Sequence, residues 1–218
     1  MAAHVRFGAD GGDWFLASVG PVTADVPVFS VPQNHHVLRP MTHAHAAAAA
    51  WRLWDELAIT ASLTNSTPWL GVDCVWVGCR GPALVLSLST LRSTMVLSIG
   101  SMGGRYPAVL GDLLAGTDVA KCCTDLPSVN RALSDAGLHL QRSRDSRDLA
   151  RLVLPVPVPL LATLSQVCMA VLHSSVPRGQ ALRFLDWGGL LTTQQVDFMV
   201  LQSFASLKMV REVCFRIG

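Results

Sequence analysis

The chain of 218 residues lacks any uncharged apolar stretch of the roughly 18 residues that a membrane-spanning helix requires. Half of its residues are nevertheless hydrophobic, and its mean hydropathy is +0.40. The most apolar segment, residues 152–164, is interrupted by Pro155, Pro157 and Pro159, and proline breaks a helix. The sequence therefore predicts no membrane segment. Its apolar excess predicts a core together with a surface that protein partners cover.

Charge of either sign is also sparse, since only 15% of the residues are charged. The 17 basic and 15 acidic residues leave a net charge of +2, so a chain-wide electrostatic attraction to nucleic acid is not implied. Lys121 and Lys208 are the only lysines, and this scarcity fits a bias in base composition more than a selection for arginine contacts.

The six cysteines show no paired C-x-x-C spacing, which argues against a zinc site and against a small disulfide scaffold. They are predicted to be reduced core thiols. This predicts an intracellular protein in a reducing compartment, with the nucleus, the cytoplasm and the mitochondrion all left open.

The segment Trp69–Val77 is an apolar run interrupted by one carboxylate, Asp73, and it follows the turn residues Thr67 and Pro68. Such a run predicts a strand buried on both faces at the centre of a sheet. A buried carboxylate is costly unless a metal, a partner or a reaction requires it. The alternative is an aspartate held by backbone amides or by an arginine.

Patterns elsewhere predict further elements around this strand. Thr42 caps a helix over 43–63, Gly137 ends one over 126–136, and Leu84, Leu86 and Leu88 share one face of a strand over 83–90. The other predicted strands are 14–19, 26–31, 35–38, 94–99, 119–123 and 138–140, and the other helices are 106–114, 147–153, 160–172 and 192–215.

Three meandering strands followed by alternating helices and strands predict an α/β fold, with a mixed sheet flanked by helices. We expect residues 67–218 to form the main domain. Residues 1–66 are expected to form an extension of short strands and an alanine-rich helix that packs on it.

Four segments in consistent order resemble the 3′-to-5′ exonuclease domain of the ribonuclease D and Werner-syndrome-type family. They are Leu70-Gly-Val-Asp-Cys-Val-Trp76, residues 124–133, Arg144-Asp-Ser-Arg-Asp-Leu-Ala150 and residues 187–198, which begin Trp-Gly-Gly-Leu-Leu-Thr-Thr-Gln. The similarity covers residues 69–215, and the part before it resembles the amino-terminal lead-in of plant Werner-type exonuclease-like proteins. It implies a ribonuclease-H-like fold, with three antiparallel strands and then parallel strands.

In that family, four carboxylates hold two Mg²⁺ or Mn²⁺ ions for in-line attack on a terminal phosphodiester, and a tyrosine positions the water. Carried over by motif, the first aspartate is Asp73, but the glutamate position is Val75. The second aspartate falls on Ser128, the tyrosine on Phe198 and the last aspartate on Gln202. One of four ligands remains, so no metal cofactor and no catalytic residue is expected.

Neighbouring carboxylates are weak substitutes for the missing ligands. Asp125 lies three residues before Ser128, and Asp197 is about 100° around a helix from Phe198, so each needs a register shift to face Asp73. Asp73 is expected instead to accept hydrogen bonds, with Gln202 and Ser128 as candidate donors.

The resemblance and the lost ligands predict an inactive exonuclease-like domain. We expect it to act as a structural or interaction subunit with protein partners, in an RNA-processing or other ribonucleoprotein complex. One alternative is a module that binds RNA or DNA through Arg144, Arg147 and Arg151 on one helix face. The competing interpretation is that these arginines form a solvated helix face and pair with Asp145 and Asp148. The single tyrosine leaves few platforms for stacking bases. Another alternative is an active exonuclease with an unusual ligand set.

Overall fold

The computed structural model describes residues 5–7, 27–78, 81–103, 105–154, 163–177, 182 and 185–217, in which seven strands form one mixed sheet. The strands are β1 (Val5–Phe7), β2 (His36–Leu38), β3 (Trp69–Val77), β4 (Ala83–Ser89), β5 (Ser93–Ser98), β6 (Ala120–Cys123) and β7 (Ser143–Asp145). The helices are α1 (His43–Thr64), α2 (Ala108–Ala115), α3 (Leu126–Asp135), α4 (Ser146–Ala150), α5 (Leu164–Leu172) and α6 (Thr193–Ile217).

The sheet runs in the order β2-β5-β4-β3-β6-β7, and β1 adds to β3. Strands β3, β4 and β5 are antiparallel neighbours, whereas β6 and β7 continue parallel to β3. The predicted sequence of antiparallel and then parallel strands is confirmed. The apolar segment around Asp73 is the central strand, as its composition indicated.

Helices cover both faces of the sheet. On one face, α1, α2 and α3 pack with Leu70, Val72, Cys74 and Trp76 of β3 in the largest hydrophobic cluster. On the other face lie α4, α5 and α6, and Val75 of β3 packs there among residues of α6. Because successive side chains of a strand alternate between faces, Gly71 and Asp73 also face α6.

Local signals fix several helix ends, and those at Thr42 and Gly137 were predicted. The Thr42 hydroxyl accepts from the His45 amide at 3.2 Å and caps α1. The Thr163 hydroxyl and the Gln166 side chain form a reciprocal capping box at the start of α5. Gly137 follows α3 with φ of 80°, a conformation that a residue with a Cβ adopts at a cost.

Residues before 67 contribute both to the sheet and to its cover. Strand β2 pairs parallel with β5, with His36 opposite Ser93 and Leu38 opposite Met95. Helix α1 buries Ala46, Ala50 and Leu53 against the same cluster as the central strand. The amino-terminal part therefore supplies an edge strand and one of the three helices of a covering layer.

Three predicted details are wrong. Residues 138–140, predicted to be a strand, are irregular. The strand lies instead at Ser143–Asp145, whose polar sequence shows no strand pattern. Residues 27–31 form no strand beyond an isolated bridge from Val28 to Ser175, and the prediction at 14–19 falls outside the described residues. Leu84 packs with the α6 face, unlike Leu86 and Leu88, because the register of β3 and β4 shifts between Val75 and Trp76.

Candidate functional site

A row of polar residues crosses the sheet beneath α6 at the level of Asp73. Asp73 is opposite Ser87 of β4 in the strand register. On the other side of Asp73, the strand register pairs Gly71 with Cys122 and Cys122 with Arg144. Two residues further along each strand direction, the row continues with Thr124 and Ser146. All four polar side chains of this row are buried, and Asp73 is 7% exposed.

At Gly71, helix α6 lies so close to β3 that a side chain at this position would not fit. A Cβ atom added at residue 71 would lie 2.1 Å from the Ser203 carbonyl oxygen, which is far inside van der Waals contact. Glycine at this position is therefore required by the close crossing of β3 and α6. The crossing holds the backbone of α6 directly over the segment that precedes Asp73.

A chain of buried hydroxyls ties α6 to the antiparallel strands. The Ser203 Oγ lies 2.7 Å from both Ser87 Oγ and Ser89 Oγ, and Ser87 Oγ also donates to the Met199 carbonyl at 3.0 Å. Ser89 Oγ continues to Thr94 Oγ1 at 2.5 Å, and Thr94 Oγ1 lies 2.7 Å from Nε2 of His35. Burial lowers the pKa of His35, so the neutral imidazole is favoured at the end of this chain.

A second group of hydroxyls ties α6 to the parallel strands. Thr124 Oγ1 lies 2.5 Å from Ser146 Oγ and 3.5 Å from Ser206 Oγ of α6. These three residues are at most 3% exposed. The interface between the sheet and α6 is thus held by neutral hydrogen bonds on both sides of Asp73.

The positions that the resemblance assigns to the glutamate and to the tyrosine meet in one apolar cluster. Val75 is 1% exposed and Phe198 is 8% exposed, and both pack with Val85, Trp187 and Met199. Neither side chain has an oxygen for a metal or a water. At these two positions the site is filled by close packing.

The other two assigned positions lie on two different helices, α6 and α3. Gln202 is on α6, adjacent to Ser203, and is 3% exposed. Ser128 is in the first turn of α3, half-buried, and its amide donates to the Asp125 carbonyl at 3.1 Å. The predicted hydrogen bonds from Gln202 and Ser128 to Asp73 remain predictions.

Asp125 and Asp145 share a guanidinium at the ends of β6 and β7. Arg147 Nη2 lies 2.6 Å from Asp145 Oδ2 and 3.3 Å from Asp125 Oδ1. Asp145 also accepts from the Leu126 amide at 2.9 Å. Burial raises the pKa of Asp145, but the hydrogen bonds from Arg147 and from the Leu126 amide outweigh it and leave the pKa below its usual value.

The three candidate phosphate-binding arginines do not share a helix face. Arg144 lies in β7, is exposed and donates to its neighbour's carbonyl oxygen. Arg147 is held by Asp145 and Asp125, and Arg151 pairs with Asp148. The expected alignment of the three on one helix is wrong, because the helix begins only at Ser146.

The donor set around Asp73 does not fit a pair of divalent ions. Mg²⁺ and Mn²⁺ take oxygen ligands, several of them anionic when two ions are held close together. Val75 offers none, while Ser128 and Gln202 are neutral. In the described part of the chain, no group of three or more His, Cys, Asp or Glu side chains is arranged to hold a metal.

Asp197, the second possible substitute, faces away from the row. It is exposed and lines a pocket of about 670 Å³ between α6 and the segment that contains Val31, His35 and Val37. Asp73 is buried and is not among the residues that line this pocket. Asp197 therefore does not point toward Asp73.

Sequence reasoning missed the hydroxyl residues beneath α6. They are Ser87, Ser89, Thr94, Thr124, Ser146, Ser203 and Ser206. A signal existed in β4, where serines alternate with leucines, but alternation ordinarily indicates a face in water. The matching serines at 203 and 206 on α6, three residues apart, complete the pattern.

Comparisons of sequence gave no match to a family model and none to a curated protein. Comparison of structures did find similar folds. Brucella melitensis NrnC has a TM-score of 0.59 and 16% identity over 84% of this chain and 81% of that one. NrnC bound to pGG has the same TM-score, with 14% identity over 84% and 80% of the two chains.

An EXD2 exonuclease domain soaked in Mn and GMP shows 22% identity over 84% of this chain and 94% of that one, at a TM-score of 0.45. The fold assignment rests on NrnC, whose similarity spans most of both chains. In the described residues no helix is long and apolar enough to cross a membrane. The chain has the fold of NrnC, and the mixed, ribonuclease-H-like α/β fold implied by its sequence motifs is confirmed.

Proposed function

We propose that this chain is a catalytically inactive exonuclease-like domain that acts as a structural or interaction subunit. The observation that carries the proposal is the packing at the assigned catalytic positions. Val75 and Phe198 lie in one apolar cluster, and Gln202 is buried beside the hydroxyls that join α6 to the sheet. A cleft that has lost its anionic ligands gains stability from neutral contacts and has no reason to bind two cations.

The surface supports a role in contacts with other molecules. Large apolar side chains are exposed at several places along the chain, including Met41 at 63%, Leu152 at 67%, Leu190 at 79% and Phe215 at 83%. Exposed apolar groups of this size are often covered in an assembly. We propose protein partners in a ribonucleoprotein complex, because the fold is one that other proteins use on nucleic acids.

An active exonuclease is the second candidate, favoured by the four segments that resemble the exonuclease family and by the retained Asp73. The discriminating experiment incubates the purified chain with single-stranded RNA, single-stranded DNA and pGG, in the presence of Mg²⁺ or Mn²⁺. We expect no shortening of any substrate. The control is Asp73→Ala, checked by circular dichroism for an unchanged fold.

Metal-dependent shortening by the parent that disappears in Asp73→Ala would overturn the proposal. Equal shortening by both proteins identifies a contaminating nuclease. The proteins are then purified again and the comparison is repeated. Activity that requires Asp73 would also identify an unrecognised ligand set.

Nucleic-acid binding without catalysis is tested separately by a titration across salt concentrations. Two of the three candidate arginines are engaged by aspartates, so we expect weak binding. Contacts to several phosphates would instead give affinity that falls steeply with salt. A steep slope that decreases in Arg144→Glu would show that the exposed arginine of β7 contacts phosphate.

A further inference from the structure

The outer face of α1 carries unusually few charges for a helix of 22 residues beside water. Arg52 and Asp55 are the residues with a formal charge on this face, which otherwise consists of alanines, large apolar side chains and the polar residues His45 and Ser62. Its exposed positions are Ala44, His45, Ala48, Trp51, Arg52, Asp55, Ala58, Ile59, Ser62 and Leu63.

The large apolar residues of this face are well exposed. Trp51 is 56% exposed, Ile59 is 48% exposed and Leu63 is 77% exposed. The Trp51 ring leans on Trp54, with ring centroids 6.1 Å apart, and Trp54 in turn packs against the core. A rigid aromatic anchor supported by the core is typical of an interface centre.

The order of residues along this face is self-complementary. We infer that a second copy of the chain covers it, with the two α1 helices antiparallel about a two-fold axis at the level of residues 53 and 54. Residues whose numbers are equally far from that level then face each other. Arg52 faces Asp55 of the second copy, Ala48 faces Ile59, and Ala44 faces Leu63.

The charges and the sizes both agree with this arrangement. Each opposite-charge pair occurs twice by symmetry, and Ile59 and Leu63 each meet an alanine that leaves room for them, while Trp51 lies at the level of Glu56 of the second copy. Within one copy Arg52 lies 3.3 Å from Glu56, but that i, i+4 pair is largely exposed on the arginine side and contributes only tenths of a kcal/mol. The inference does not depend on whether the cleft beneath α6 is catalytic.

Sedimentation of the full chain over a range of concentrations tests the inference. We expect a monomer–dimer equilibrium that is weakened about tenfold or more by Asp55→Arg, because two arginines then oppose each other. Ile59→Glu is expected to weaken it similarly. The charge swap Arg52→Asp with Asp55→Arg should restore the dimer, since the opposite signs face each other again.

Disulfide trapping tests the register, in a background where the exposed Cys214 is changed to serine. Ala48→Cys combined with Ile59→Cys should cross-link two copies, because these positions face each other. The matched control combines Ala48→Cys with Leu63→Cys, which the register separates by about one helical turn, or roughly 6 Å, so it should cross-link poorly.

A parent chain that stays monomeric overturns the inference, and the face would then belong to a different partner. A dimer that is insensitive to Asp55→Arg and to Ile59→Glu also overturns it. The inference is also overturned if the charge-swapped variant has the melting temperature of the parent and still fails to associate. Melting curves of every variant exclude unfolding as the cause of lost association.

Discussion

Lys121 is a lysine without access to solvent, on a strand in the middle of the fold. It is 0% exposed, and its Nζ donates to the Gly116 carbonyl, which follows the last turn of α2. A cation there is favoured by the carboxyl end of the helix. Burial nevertheless lowers the pKa of Lys121 to about 8, with a smaller contribution from Arg142.

This shift predicts how stability changes with pH. The pKa of Lys121 in the folded chain is about 8, against 10.5 for the unshifted group, so the folded state binds fewer protons between these values. The parent should therefore gain stability, relative to Lys121→Met, as pH rises from about 8 to about 10.5. The gain should reach about 3 kcal/mol by urea unfolding.

Lys208→Met is the control for this experiment, because it removes the other lysine from a half-buried position on α6. Its stability relative to the parent should change little over the same pH range. If the difference in stability between the parent and Lys121→Met is also independent of pH, the ammonium of Lys121 is better solvated than its position indicates.

Single residues also mark the limit of what the sequence predicts. Asp73 was identifiable as a buried carboxylate, because it interrupts an apolar run. The burial of Ser87 was not identifiable, because a serine between leucines is also the pattern of a strand with one face in water. Only the approach of Ser203 on α6, distant in sequence, decides which face is covered.

At the scale of elements, Glu56 connects α1 to the turn between β4 and β5. Its Oε2 accepts from Thr90 Oγ1 at 2.5 Å and its Oε1 accepts from Ser93 Oγ at 2.6 Å. Thr90 Oγ1 also accepts from the Ser93 amide at 3.0 Å within the turn. One carboxylate thus fixes the distance between the helix and the hairpin.

Glu56→Ala should lower the free energy of unfolding by about 2–3 kcal/mol in urea, because two buried hydroxyls lose a charged acceptor. The matched control is Glu212→Ala, since Glu212 makes the same kind of i, i+4 pair with an arginine, Arg216, on an exposed surface. That change should cost at most about 0.5 kcal/mol. Equal losses in the two variants would show that the turn does not need Glu56.

Elements with strong local signals were predictable, and elements without them were not. Helix α1 has a capping threonine and an alanine run, and the start of its observed range matches the prediction. Strand β7 has the sequence Ser-Arg-Asp and is only three residues long. Its position follows from pairing with β6 and from the contact of Asp145 with the start of α3, which no local pattern encodes.

At the scale of the whole molecule, the assigned catalytic positions predict which substitutions would create a metal site. A variant with Val75→Glu, Ser128→Asp, Phe198→Tyr and Gln202→Asp should be less stable than the parent without metal, because it buries new carboxylates. Saturating Mn²⁺ should then stabilise it by about 2–3 kcal/mol and leave the parent unchanged. Thermal unfolding with and without Mn²⁺ measures both effects.

The control replaces the same positions by neutral residues of similar size, Val75→Gln, Ser128→Asn, Phe198→Tyr and Gln202→Asn. It should show no stabilisation by Mn²⁺, because a cation needs anionic ligands. If the carboxylate variant also ignores Mn²⁺ while it remains folded, then the motif-by-motif assignment of these four positions is wrong.

The position of α6 in the chain has a consequence for synthesis. This helix covers one face of the sheet, and its Ser203 carbonyl rests on Gly71, more than a hundred residues earlier. Until the ribosome has made α6, residues such as Val75, Val85 and Val96 lack their covering layer. We therefore expect the nascent chain to carry an exposed apolar sheet face from the time β3, β4 and β5 are made until α6 docks, and chaperones to bind it during that interval.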